Sequence, residues 1–343
     1  MSEFSKSLIH WQKQYGRHNL PWQMKDPYAR WISEVMLQQT QVTTVIDYYC
    51  RFMTCFPTVK DLANASEDQV MIQWAGLGYY SRARNLHKAA QIIVDQYGGV
   101  FPKTRCEWEQ LPGIGRSTAS AIVAFSYGER EAILDGNVKR VLTRYFAINR
   151  VLDHSLEKEL WLLAESLLPA DDMDSYTQGL MDLGATVCSK KPQCLLCPFE
   201  KSCLAHQNGI EKDLPVPRVK RKRSQTTRTF FLFWYENQIF LEKRTGKSVW
   251  QGLYCLPEID AAMSDKQVQE YLDAQGLSVR NWNRLETLVH DFSHYRLHIE
   301  PIAVLLRKTN HLLISGKWVE AKKISTVAMP TPIENLVTKF LSL

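Results

Sequence analysis

The chain has 343 residues, 45% of them hydrophobic, and a formal net charge of +6. That size and apolar content support two cores; no segment has the length of an apolar membrane span, and Met1 to Gln14 holds no apolar stretch of signal-peptide length, so a cytoplasmic chain without membrane association is expected. The excess charge is uneven: residues 1–210 carry 22 Lys+Arg against 22 Asp+Glu, and residues 211–343 carry 20 against 14, so an anionic partner of the first part must be held by local geometry and not by bulk charge.

In chain order, the first part reads as helical. Asp26-Pro27 is an N-cap followed by proline at the first helical position, and Tyr28, Trp31, Ile32, Val35 and Met36 recur at helical spacing as a buried stripe. Further periodic segments cover roughly 67–75, 81–97, 116–127, 137–148, 155–168 and 173–186, divided by Gly, Pro and Asp. Composition then shifts. Residues 211–228 contain Pro215, Pro217 and the basic run Arg218 to Arg223, and read as a linker extended by proline and self-repulsion. From Thr229 the pattern turns to β: strands at 229–235 and 238–242 joined by a tight turn at Glu236-Asn237, a helix near 264–275, strands near 285–291, 295–305 and 312–319, and a helix near 332–342. The domains are therefore expected at 1–210 and 229–343, an all-α module followed by a small α/β domain.

Four of the eight cysteines, Cys188, Cys194, Cys197 and Cys203, fall in one run spaced C-x5-C-x2-C-x5-C. Four thiolates this close can surround one metal centre, tetrahedral zinc or a cubane iron–sulfur cluster. Zinc sites usually join two close pairs; a single CxxC in one compact run favours the [4Fe-4S] cluster. Disulfides or unrelated buried thiols are the bland alternative. Cys50, Cys55, Cys106 and Cys255 are scattered and read as small buried hydrophobes.

Leu111-Pro-Gly-Ile-Gly-Arg-Ser117 joins two helical segments. Gly113 and Gly115 permit a sharp turn and a close approach of backbone to ligand, and the helix from Arg116 offers free N–H groups to an anion. A lone G-x-G is usually only a turn. The longer LPGIGRSTA string resembles the helix-hairpin-helix of DNA repair glycosylases. With an aspartate about 20 residues on and the four-cysteine loop, the chain resembles the endonuclease III superfamily. Trp31 to Val42 (WISEVMLQQTQV), Gly76 to Tyr80 (GLGYY) and Ile133 to Val141 (ILDGNVKRV) resemble MutY-type adenine DNA glycosylases in particular.

That resemblance implies removal of adenine mispaired with 8-oxoguanine or guanine in double-stranded DNA by a monomeric enzyme. Breaking the N-glycosidic bond requires a proton on the leaving base and negative charge beside the cationic sugar, which two carboxyl groups in different surroundings supply. Periodicity alone makes Glu34 a surface glutamate; the resemblance makes it the general acid that later activates water. Asp135, at the start of a helix that favours its ionised form, is implied to stabilise the sugar or bond to it transiently. Ser117 stands where bifunctional relatives carry a Schiff-base lysine, which implies a glycosylase without efficient lyase activity. Gln39, Thr40, Leu77 and Tyr79 match positions that wedge into or line the duplex, and Gln178 one that contacts the flipped adenine; otherwise these are ordinary surface and core residues.

Trp250 to Pro257 (WQGLYCLP) with His290 to His294 (HDFSH) resembles the family's Nudix-like lesion-reading domain, with Phe292 to wedge and Ser293 and His294 to bond the altered guanine. After Gly252 the acids are scattered (Glu258, Asp260, Asp265, Glu270) and do not form the acidic helix of a true Nudix hydrolase, so binding without pyrophosphate hydrolysis is expected. The first cluster spacing departs from the family, five residues in place of six, and Lys190, Lys191 and Lys201 nearby suit phosphates. The alternatives are a related mismatch glycosylase for thymine or uracil, a non-catalytic DNA-binding scaffold, or a Nudix hydrolase fused to a DNA-binding module. The lesion reader, the carboxyl pair and the missing acidic helix count against them in turn.

Overall fold

A computed structural model describes residues 2–217, 223–246, 249–308 and 314–342. Residues 2–217 form helices: α1 Glu3–Tyr15, α2 Pro27–Leu37, α3 Val42–Cys55, α4 Val59–Asn64, α5 Glu67–Trp74, α6 Ser81–Tyr97, α7 Arg105–Glu109, α8 Arg116–Tyr127, α9 Gly136–Tyr145, α10 His154–Ser166, α11 Met173–Ala185 and α12 Leu204–Gln207. The chain divides into two compact units, residues 1–64 with 85–220 and residues 65–84 with 221–343.

Capping explains where the helices begin. The Asp26 carboxylate accepts from the backbone N–H of Tyr28 at 3.1 Å and Ala29 at 3.2 Å, which starts α2. Its apolar stripe is then buried: Trp31, Ile32 and Met36 are fully enclosed, and Trp31 packs on Trp108 with ring centroids 5.8 Å apart. Each such side chain contributes roughly 1.5–3 kcal/mol. A second core gathers Phe4 and Leu8 of α1, Ile133 and Leu134, Val138 and Leu142 of α9, Leu160 of α10 and Tyr176 and Leu180 of α11. Helix α1, the pair α3 and α4, and the short α7 were not anticipated from the sequence. In α1 the polar residues between Phe4, Leu8, Ile9 and Trp11 conceal the buried face.

The second unit is built on an eight-stranded mixed sheet: β1 Ser224–Tyr235, β2 Gln238–Lys243, β3 Tyr254–Cys255, β4 Glu258–Ile259, β5 Val279–Arg284, β6 Leu288–Asp291, β7 Tyr295–Leu306 and β8 Lys317–Glu320. Two helices complete it, α13 Asp265–Ala274 and α14 Thr331–Leu341. Strands β1 and β7 run parallel at the centre in register from Ser224↔Tyr295 to Trp234↔Leu305. Glu236 and Asn237 both adopt positive φ, 41° and 63°, as the tight hairpin turn requires.

The polar stretch Ser224 to Arg228, read as the end of the linker, is the start of β1; its backbone bonds to β7 outweigh its lack of apolar alternation. Strand β5 was missed because Val-Arg-Asn-Trp-Asn-Arg is mostly exposed. Of the strand expected at 312–319, residues 312 and 313 lie outside the described residues, as do 218–222 of the basic run. Within this unit Asp68 accepts from Lys243 Nζ at 2.6 Å and Tyr254 OH at 3.2 Å, and the Arg84 guanidinium donates to the Gln251 carbonyl, so segment 65–84 packs with the sheet. Three of the four scattered cysteines are exposed: Cys50 and Cys55 lie on the outer face of α3 and Cys106 in α7, and Cys255 alone is buried. No described helix is long and apolar enough to cross a membrane.

Candidate active site

Three elements of the helical unit meet around Glu34. At the end of α2, Gln38 Nε2 donates to Thr118 Oγ1 at 3.2 Å, which fixes α2 to the first turn of α8. The Leu134 backbone N–H donates to Ser117 Oγ at 3.0 Å and fixes α8 to the segment leading into α9. Asp135 is the N-cap of α9, its Oδ1 accepting from Val138 N–H at 2.8 Å. Ser117 thus positions the strand of chain that delivers Asp135.

The two carboxyl groups differ in surroundings. Glu34 is partly buried, and no hydrogen bond or ion pair engages its carboxyl among the described residues. Burial pushes its pKa up to about 7; the Arg30 cation opposes this and the Asp135 charge reinforces it. Asp135 is also raised, because burial outweighs the backbone N–H bonds of Val138 and Asn137 and the charges of Arg140 and Lys139. The helix terminus alone therefore does not decide its ionisation. The Asp135 charge bears on Glu34, which puts the two acids in one electrostatic neighbourhood.

The hairpin turn has the geometry its glycines require. Gly113 lies at φ +78°, and a Cβ there would meet Asn85 Cβ at 2.8 Å. Gly115 caps α8 with no side-chain hydrogen bond and open space where a Cβ would stand, so the first N–H groups of this 12-residue helix are free to meet a ligand backbone. Arg116 does not cover them: its guanidinium lies 3.9 Å over the Trp161 ring and pairs with Glu165.

The other expected residues fall into different settings. Gln39 is exposed at φ 60°, and Thr40 beside it is partly buried. Tyr79 is 49% exposed at φ 48°, whereas Leu77 is 6% exposed and packed inside. Gln178 is buried, with Nε2 donating to Asp182 Oδ1 at 2.8 Å. Asp182 also accepts from Arg17 Nε at 2.7 Å and Arg17 N–H at 2.8 Å. A carboxylate only accepts, so the Gln178 amide nitrogen must face Asp182 and its oxygen is left for other partners. Arg17, Arg30 and Asp182 were missed in the sequence; Arg30 carried one legible signal, its i, i+4 spacing to Glu34.

The four clustered cysteines line one cavity with Arg144, Glu200, His206 and Glu211. The shorter first spacing closes as a compact turn, Gln193 N–H donating to the Val187 carbonyl at 2.9 Å. Helix α9 anchors this loop. Arg140 Nε donates to the Cys188 carbonyl at 2.8 Å, and Arg144 Nη1 to the Ser189 carbonyl at 2.7 Å and toward Cys188 Sγ at 3.4 Å. Burial first, then the neighbouring thiolates, raises Cys197 to about 12 and Cys203 upward as well. Thiols crowded so that their own charges repel fit a cationic metal centre. His206 Nδ1 and Glu211 Oε2 are buried without hydrogen-bond partners, and one donor atom each of Cys194, His206 and Glu211 lie within 4.8 Å of one another.

In the second unit Phe292, Ser293 and His294 form the tip between β6 and β7, closed by Phe292 N–H donating to the Tyr295 carbonyl at 2.9 Å. Phe292 stacks on Tyr295 at 4.6 Å and meets Trp250 at 5.3 Å and His290 at 4.6 Å. Ser293 and His294 are exposed. The acids after Gly252 are engaged elsewhere: Glu258 with Arg228 and Arg244, Asp260 with Arg228, Asp265 with Arg284 and Glu270 with Lys266.

A helix-hairpin-helix turn shouldered by two carboxyl groups, on a unit that carries a four-cysteine loop, defines a class: the base-excision DNA repair glycosylases. Sequence comparison agrees. The family described as HhH-GPD superfamily base excision DNA repair protein matches residues 32–166, and the NUDIX domain family matches residues 229–339. The chain is 37% identical to the adenine DNA glycosylase of Buchnera aphidicola subsp. Baizongia pistaciae, over 98% of this chain and 96% of that one. It is 43% identical to the human adenine DNA glycosylase over 62% of this chain, which spans 41% of the human protein. Among solved structures, a thermostable thymine-DNA glycosylase is similar with a TM-score of 0.55 and 29% identity, covering 60% of this chain and 95% of that one. The chain belongs to the adenine DNA glycosylase family.

Proposed function

We propose that this chain hydrolyses the N-glycosyl bond of adenine mispaired with 8-oxoguanine or guanine in double-stranded DNA, as a monomeric cytoplasmic enzyme without efficient lyase activity. The observation that carries this reading is the Glu34–Asp135 pair. Glu34, desolvated to a pKa near 7, holds a transferable proton at neutral pH. Asp135 is fixed by the α9 N-terminus, where its carboxylate offsets positive charge on the sugar.

A base within a duplex is out of reach of these groups, so adenine must leave the stack. Tyr79 and Gln39, both exposed, suit holding the gap, as do Thr40 and Leu77 by resemblance, and the Gln178 amide suits the extruded base. The N–H groups after Gly115 suit a DNA phosphate. Residues 229–343 act as lesion reader, with the Phe292-Ser293-His294 tip at the edge where 8-oxoguanine differs from guanine. Ser117, already bonded to Leu134, lacks the amine needed for a Schiff base. Cys188, Cys194, Cys197 and Cys203 would hold a [4Fe-4S] cluster, which supplies no proton or charge to the carboxyl pair and instead holds the basic loop with Lys190, Lys191 and Lys201 in shape.

The test is base release under single turnover from duplexes with adenine, thymine or uracil opposite guanine or 8-oxoguanine. Release of adenine, fastest opposite 8-oxoguanine, with strands intact until alkali is added, is the expected result. Preferential release of thymine or uracil, or binding with no release, overturns it.

A further inference from the structure

Arg30 is 7% exposed, one helical turn before Glu34 on α2. A buried guanidinium is costly unless its bonds and charge are used. Its bonds go elsewhere than to Glu34: Nε donates to the Met24 carbonyl at 2.9 Å, and the guanidinium lies 4.2 Å over the Phe125 ring. Among the described residues no direct ion pair joins Arg30 and Glu34. The cation is thus locked by α8 and the segment before α2, at a position independent of Glu34's own state. The charged groups that bear on Glu34 are Arg30 from its own helix and Asp135 from the start of α9. Those that bear on Arg30 are Glu34, Asp174 of α11 and Tyr49 of α3.

We propose that Arg30 is a positioning residue of the reaction, a fixed cation that stabilises the carboxylate of Glu34 without binding it and so sets the pH range over which Glu34 delivers its proton. The inference rests on the reading of Glu34 as the general acid. It gives Arg30 two consequences. Before bond cleavage the cation limits how far burial favours the protonated acid; after proton delivery it stabilises the carboxylate that must draw a proton from water. A direct ion pair would suppress the acid form outright, which is why the engagement of Arg30 by Met24 and Phe125 matters.

The experiment is the pH dependence of single-turnover adenine release by the full-length protein, for wild type, Arg30→Met, Arg30→Gln and Arg30→Lys. Removing the cation lets Glu34 keep its proton to higher pH. The basic limb should move up by about one pH unit in Arg30→Met and Arg30→Gln, the order expected for one charge at a helical i, i+4 distance. Arg30→Lys keeps the charge and should leave the limb near that of wild type while lowering the plateau. A common drop in rate with the limb unmoved in either neutral variant overturns the proposal and reduces Arg30 to packing; the two neutral variants differ in shape, so either that folds suffices. Glu34→Gln separates the two claims. If it abolishes release while the Arg30 variants leave the limb unmoved, only the role of Arg30 falls; if it retains release with the same limb, the reading of Glu34 falls and takes this one with it.

Discussion

Replacing Glu34 by glutamine should make the protein more stable and nearly inactive, and the size of the first effect follows from the structure. Glu34 is held at a pKa near 7 against an ordinary carboxyl value of 4.5 because burial disfavours its charge. The folded chain therefore binds this proton more tightly than the unfolded chain does. Below the unfolded value both states are protonated and the full stability is present; it is lost as pH rises from there through about 7, where the folded chain is left with a desolvated carboxylate. The shift is worth about 3 kcal/mol at 1.36 kcal/mol per unit, reduced to about 2 by the partial exposure of the side chain. Glutamine has the same shape and no charge to desolvate.

Denaturant unfolding of wild type and Glu34→Gln, fitted with separate transitions for the two units, should show the variant ahead by less than about 1 kcal/mol near pH 5 and by about 2 kcal/mol near pH 8.5. Adenine release by the same variant should fall by at least ~10²-fold, the usual scale of general acid catalysis. Wild-type release should fall about tenfold per pH unit above about 7 as the proton is lost. A stability difference that is the same at both pH values would show that Glu34 is solvated, and the argument for it as a tuned acid would fail.

Three other outcomes test separate parts of the site. Borohydride should trap little covalent adduct with wild type, and Ser117→Lys, besides supplying an amine, should destabilise the helical unit by about 1 kcal/mol through loss of the Leu134 bond, measured by thermal unfolding. Changing Phe292, Ser293 and His294 together to alanine should narrow the preference for 8-oxoguanine over guanine opposite adenine by about tenfold or more at constant salt, each base contact being worth roughly 1–3 kcal/mol; equal loss on both substrates would assign the tip to general docking. Protein prepared anaerobically with ample iron should contain about four irons per chain, and Cys197→Ala should lower that content and DNA binding together; stoichiometric zinc would refute the cluster.

Legibility in the sequence followed the strength of local signals. The helix at 116–127 was readable to the residue because glycines bound it, Gly115 at its N-cap and Gly128 in the left-handed conformation beyond Tyr127. The apolar run Ile239-Phe240-Leu241 made Gln238–Lys243 readable to within a residue, whereas β5 and the first five residues of β1 are mostly polar and exist because β7 pairs with them. Glu34 shows the same limit at the site. Its place on α2 was readable and its burial was not, since a side chain off the apolar stripe is desolvated only once the chain folds around it. Arg30 went unread for the same reason: Met24 and Phe125 become its partners only when the chain folds.

Helix α9 is where the two halves of the proposed chemistry become one structural problem. Its N-terminus fixes Asp135 through the Val138 N–H, and further along the helix Arg140 and Arg144 hold the backbone of Cys188 and Ser189. A helix of ten residues is rigid over that span, so the shape of the cysteine loop and the placement of the Asp135 carboxylate are set by the same element. Arg144 also donates to the Leu214 carbonyl, which ties the exit of the chain to this helix. Loss of the proposed metal centre would therefore act first on the loop backbone that these guanidinium groups grip. It reaches Asp135 only insofar as α9 itself shifts, which the Val138 cap and the buried Val138, Val141 and Leu142 resist. Metal loss should accordingly weaken DNA binding more than the chemical step on DNA already bound. That ordering is what separates a structural centre from a catalytic one.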